Sequence, residues 1–203
     1  MLDAALIKEC ADPSLKPAII EQFVMAAGSD DPLAVSVKSG GRLILVSKAA
    51  STEEAMAIVR QYAGQAVVRV GLTQFPAGVG VKEPADLKPD LVDACQNLRK
   101  GTAMFAKVLR IVAKWYGNPT SKDAFPRIFE DAVYAWKTGE FEGVGVFQAE
   151  DPGNSETMEN VTPPSDNRAI SANHDGENAE SSEQGQGVGS AEMRIDLSRI
   201  GGK

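Results

Sequence analysis

The chain has 203 residues, 28 acidic against 21 basic side chains, 43% apolar and 6% aromatic residues and a formal charge of −7, which fits one folded body plus an appendage. The seven Phe, three Tyr and two Trp all lie at or before Phe147, and residues 1–149 hold 17 acidic and 17 basic side chains against 11 and 4 in residues 150–203, so the charge excess sits in a ring-free tail. A basic footprint for nucleic acid is missing, and no apolar run approaches the ~20 residues that span a bilayer, so nucleic-acid binding and a membrane span are both disfavoured.

Residues 2–11 place Leu2, Ala5, Leu6, Ile7 and Cys10 on one helical stripe, which Asp12-Pro13 stops. Pro17 suits the first turn of a second helix over residues 18–27 with Ile19, Ile20, Phe23 and Val24 on its apolar face, and Gly28 ends it. Residues 33–38 and 42–46 flank Ser39-Gly40-Gly41 and read as a β-hairpin. Ser51-Thr52-Glu53-Glu54 opens a third helix as a cap, with Ala55, Ile58, Val59 and Tyr62 as its buried stripe.

Residues 67–74 are β-branched and apolar and predict an extended segment, followed by a long surface loop over residues 76–90 where Gly and Pro interrupt the pattern. A short helix over residues 90–95 leads into the longest helix, residues 97–116, where Met104, Phe105, Val108, Leu109, Ile111, Val112 and Trp115 cover more than half the circumference. That width predicts burial on most sides and a central position. A last helix over residues 126–136 precedes Thr138-Gly139 and a strand-like stretch at residues 143–147. From residue 150 the Ser, Asn, Glu, Gly, Gln and Pro composition offsets too little of the ~1–2 kcal/mol backbone entropy per ordered residue, which predicts disorder. The exception is residues 191–200, where Met193, Ile195, Leu197 and Ile200 offer a short docking stripe.

Cys10 and Cys95 are the two cysteines, in no CxxC pattern, and His174 is the single histidine, which removes thiolate and imidazole metal sites together with Ser-His-Asp and Cys-His catalysis. No cofactor is implied. Unpaired, the two thiols act as small apolar residues; paired, they close a loop of about 85 residues and require an oxidising compartment. The N-terminus has neither the basic region nor the apolar stretch of a secretory signal, which points the other way.

Five segments in order carry a resemblance: Cys10-Ala11; Asp31-Pro32-Leu33-Ala34-Val35 before the hairpin; Gly71-Leu72-Thr73-Gln74-Phe75; Asp93-Ala94-Cys95-Gln96-Asn97-Leu98 with Gly101; and Ala135-Trp136-Lys137-Thr138-Gly139. Their spacing resembles the lytic transglycosylases of type IV secretion and conjugation systems, and more narrowly the TraH proteins of conjugative plasmids. The resemblance implies an α+β, mostly α, lysozyme-like helical domain with a small β-hairpin over residues 1–149, and composition adds the disordered acidic tail over residues 150–203. The resemblance also implies a bridge between Cys10 and Cys95, a glycan groove lined by Gln74, Trp136 and Lys137, and peptidoglycan strands or conjugation-apparatus proteins as partners.

Cleavage in that family needs one carboxylic acid kept protonated in a dry pocket. It stands at the end of the second helix, about five residues before the place of Asp31-Pro32, and here Ala26 and Ala27 occupy that position. Glu21 is the weak substitute, about 8 Å of helical rise away and rotated toward another face. The Tyr-Asn pair that steadies the family's acid is replaced by Trp136-Lys137. Three readings follow: a non-catalytic module of the conjugation apparatus, an active transglycosylase whose acid has moved to Glu21 or another carboxylate, or a cytoplasmic accessory protein that binds its partner through the tail. The first two place an exported chain in the periplasm.

Overall fold

The computed structural model describes residues 2–153. The disorder expected from residue 150 onward and the stripe at residues 191–200 therefore fall almost wholly outside the described residues.

Asp3 caps α1 (Ala4–Cys10) by accepting from the Ala5 amide. Pro17 opens α2 (Pro17–Ala27), where its fixed φ suits the first turn, and Ile19, Ile20, Phe23 and Val24 are buried as the spacing predicts. The hairpin β1 (Val35–Ser39) and β2 (Arg42–Ile44) turns on Gly40 and Gly41, whose φ values of 56° and 78° both lie in the left-handed region that this tight turn demands. Ser51 caps α3 (Thr52–Tyr62): its hydroxyl accepts from the Glu54 amide, and the Glu54 carboxylate reaches back past the cap to accept from the Ala50 amide at 2.8 Å.

β3 (Val67–Val70) and β4 (Phe75–Pro76) complete an antiparallel sheet in the order β2-β1-β3-β4, with Val37 paired to Val68 and Val70 to Phe75. The expected extended segment to Gln74 stops earlier. Gly71 at φ 72° turns the chain out of the strand, and Gln74 at φ 49° returns it. The expected surface loop after β4 is also more structured, with single 3-10 turns at Pro84–Asp86 and Pro89–Leu91 and with Leu87 and Leu91 buried. The separate short helix predicted over residues 90–95 is absent, because Asp93 caps one continuous helix, α4 (Ala94–Trp115), by accepting from the Gln96 amide.

α4 is the central element. Phe105 stacks on Phe23 of α2 at 3.9 Å between ring centroids, and Trp136 of α5 (Phe125–Thr138) meets Phe23 edge-on at 5.1 Å. The predicted core stripe of α4 is narrower than expected: Trp115 is 57% exposed because it lies on the margin of the stripe with the half-buried Met104 and Ile111, while Val112 and Ala113 in the same turn are buried. Gly139 ends α5 at φ 84°, and β5 (Glu140–Phe141) and β6 (Val144–Gly145) make a second small hairpin. Lys107 then donates to the Phe147 and Ala149 carbonyls, and Arg110 pairs with Asp151, so the chain stays bound to α4 past Phe147. Among the described residues no helix is long and apolar enough to cross a membrane.

Candidate functional site

The motif segments that lie far apart in sequence converge on one buried cluster behind the end of α2. Asn97, on the first turns of α4, is fully satisfied: its amide donates to the Leu91 carbonyl at 2.7 Å and the Val70 carbonyl at 3.0 Å, and its oxygen accepts from the Thr73 amide at 3.0 Å and hydroxyl at 2.9 Å. Two glycines make room for it. A Cβ on Gly71 would stand 2.4 Å from the Asn97 amide nitrogen, and one on Gly101 would stand 2.1 Å from the Thr73 hydroxyl. The Trp136 indole donates to the Thr73 carbonyl at 3.0 Å, closing the cluster from α5. Near it, the disulfide between Cys10 and Cys95 fastens α1 to α4, with 5.1 Å between Cα atoms.

Arg69 of β3 extends the cluster, and sequence reasoning missed it. Its guanidinium donates to the Gln74 carbonyl and to the last carbonyls of α5, those of Trp136 and Lys137, where a helix end is electronegative. The Trp136 and Phe147 rings lie 6.0 and 5.7 Å from it. Burial pushes its pKa down to about 10, so it remains a cation at neutral pH. The one cue in the sequence is a charge set within a run of valines, which marks a strand covered on both faces.

The end of α2, where the resemblance to lytic transglycosylases leads one to expect a proton donor, is next to this cluster. α2 ends at Ala27; Gly28 donates to the Val24 carbonyl, and Ser29 donates to the Leu72 carbonyl at 2.9 Å, which pins the helix end to the turn after β3. A Cβ on Gly28 would come within 2.2 Å of the Leu72 carbonyl oxygen, so the contact needs glycine. Ala26 is exposed and Ala27 half-buried, and neither has a proton to give. Glu21 is exposed on α2. Asp31 accepts from the Leu33 amide at 2.9 Å and pairs with Lys48 at 3.2 Å, and these partners, the amide foremost, hold its carboxyl below the usual range. It is an ionised turn residue, not an acid in reserve. On the sheet side, a cavity of about 590 Å³ between β1, β3 and Thr138 has Lys38 and Arg69 in its wall and no carboxylate.

The expected groove residues separate. Gln74 is half-buried and committed inward: its oxygen accepts from the Ser36 hydroxyl at 2.7 Å and its amide donates to the Gly71 carbonyl at 3.1 Å. Trp136 is fully buried, which corrects the expectation that it lines a groove; it has no free face to offer a sugar, because Phe23, Phe75, Phe105 and Phe147 meet its ring edge-on. Lys137, the next residue, is exposed.

These observations define a small α+β domain whose motif residues build a buried polar latch, beside a helix end that carries no proton donor. The chain belongs to the TraH_2 family, which matches residues 1–202. It is 74% identical over 202 residues, covering 100% of both chains, to the uncharacterized protein y4dP of Sinorhizobium fredii (strain NBRC 101917 / NGR234). No solved structure matches it.

Proposed function

We propose that the chain serves plasmid conjugation as a non-catalytic, lysozyme-like module: a body over residues 1–149 that retains the scaffold of a glycan-cleaving domain without its acid, followed by an acid-rich partner-binding segment. Membership in the TraH_2 family supports the link to conjugation. The observation that carries the loss of catalysis is the pair Ala26 and Ala27 at the end of α2, with Glu21 exposed upstream on the helix and, in the turn that follows, Asp30 exposed and Asp31 ionised. A general acid must be neutral and within bonding reach of the leaving oxygen. The Cys10–Cys95 disulfide supports a periplasmic site of action, since such a bond persists in an oxidising compartment. Peptidoglycan strands or proteins of the transfer apparatus are the partners this scaffold fits.

Purified peptidoglycan incubated with the full chain is expected to yield no anhydro-muropeptides and no loss of turbidity, and Glu21→Gln is expected to change nothing. Anhydro-muropeptide release by the unaltered chain overturns the proposal. Alkylation of thiols in intact cells is expected to find Cys10 and Cys95 protected until a reductant is added. Free thiols in a cytosolic pool support the cytoplasmic alternative instead.

A further inference from the structure

The outer face of α5 carries Arg127, Asp131, Tyr134 and Thr138 at a spacing of four, three and four residues, which sets them in one stripe away from its buried Ile128, Ala132 and Trp136. That stripe, the exposed end of α4 and the β5–β6 hairpin enclose a cavity of about 570 Å³. Its two open rings are Trp115, 57% exposed, and Tyr134, 64% exposed. Trp115 is held edge-on by Tyr116 at 5.0 Å and Phe141 at 5.6 Å, so it is a fixed platform and not a loose side chain. Tyr116 in turn donates to Asp131 at 2.6 Å.

The charges in this cavity are unbalanced. Asp131, Glu140 and Glu142 face one cation, Arg127, which lies 3.5 Å from Asp131. Glu140 and Glu142 have no side-chain hydrogen bond or ion pair among the described residues. Four aromatic residues and a net surplus of carboxylates attract one class of group. The face of an aromatic ring is the negative end of its quadrupole and draws a cation, and the carboxylates add to that pull. An anion would be repelled. The volume exceeds that of a lone ammonium and falls in the range that takes a short segment of chain.

We propose that this cleft binds a basic peptide segment of a protein partner, seating a lysine or arginine side chain against Trp115 and Tyr134 with Glu140 and Glu142 as counter-charges. The site is independent of the α2 end and of whether that end cleaves glycan.

The test uses the full chain and a fluorescently labelled lysine-containing peptide, its lysine-acetylated counterpart, and tetramethylammonium as a free cation, read by polarisation and by competition. The lysine peptide is expected to bind saturably and at least tenfold more tightly than the acetylated one. Because residues 150–203 carry 11 acidic side chains, charge alone would also draw a basic peptide. The deciding variants therefore leave charge unchanged: Trp115→Ala and Tyr134→Ala are each expected to weaken binding about tenfold, with circular dichroism confirming the fold. A further tenfold loss is expected for Glu140→Gln combined with Glu142→Gln. Affinity unchanged in both aromatic variants, or equal binding of the acetylated peptide, overturns the proposal. Competition by tetramethylammonium at the same concentration as the peptide overturns the assignment to a peptide.

Discussion

Tyr134 and Trp136 lie two residues apart on α5 and meet opposite fates: the first is 64% exposed in the acidic cleft, the second fully buried in the latch. Both are large amphipathic rings. What separates them is the face of the helix, since Trp136 shares its side with Ile128 and Ala132, and Tyr134 shares its side with Arg127 and Asp131. In the latch every polar group is consumed internally, by Asn97, Thr73 and the Arg69 guanidinium. In the cleft carboxylates and ring faces are left toward solvent. One helix thus holds the fold together with one side and presents recognition chemistry with the other.

Mutation can break that contrast. Trp136→Ala opens a cavity and orphans the Thr73 carbonyl, and a loss of about 5 kcal/mol is expected in urea unfolding. Reduction of the Cys10–Cys95 bond, which spans 85 residues, is expected to cost about 4 kcal/mol on loop-entropy grounds, measured as unfolding with and without reductant. Asn97→Ala leaves the Val70 and Leu91 carbonyls without the amide that serves them, for an expected loss of about 3 kcal/mol.

Acid separates the regions in another way. The latch contacts made by Thr73, Asn97 and Trp136 involve no carboxylate, whereas the turn after α2 depends on ionised Asp31, whose folded pKa is depressed. Its contribution is complete above the unfolded value of 3.8 and fades as pH falls through the lower folded value. Thermal melts are thus expected to decline below about pH 4, and Asp31→Asn to flatten that decline. The smallest effect belongs to the cleft: Tyr134→Ala is expected to change stability by under about 0.5 kcal/mol, and a larger loss would mean that the ring packs more than it presents.

Local chemistry made much of the fold legible. Pro17 and the Ile19, Ile20, Phe23, Val24 face mark α2, and Ser39-Gly40-Gly41 marks the hairpin, because each needs only neighbours in sequence. That Ala26 and Ala27 carry no carboxyl was equally readable, since the lack of a functional group at a given position requires no geometry. Asn97 and Arg69 were hidden as structural residues because their partners lie far along the chain: 24 residues to Thr73 for one, 67 to Trp136 for the other. Trp115 was placed in the core stripe because periodicity counts apolar residues but does not show which elements come to lie against each face of the helix. The cleft is out of reach for the same reason, as it assembles from α4, α5 and a hairpin whose meeting no local pattern records.

The bond between Cys10 and Cys95 also sets a limit on transport. It ties together two residues 85 positions apart in a covalent ring, so a pull on the chain ends leaves on the order of 300 Å of contour slack and unable to extend. A pore that admits one extended strand will not pass such a ring. Passage through such a pore would therefore require two free thiols, with the bond forming only afterwards.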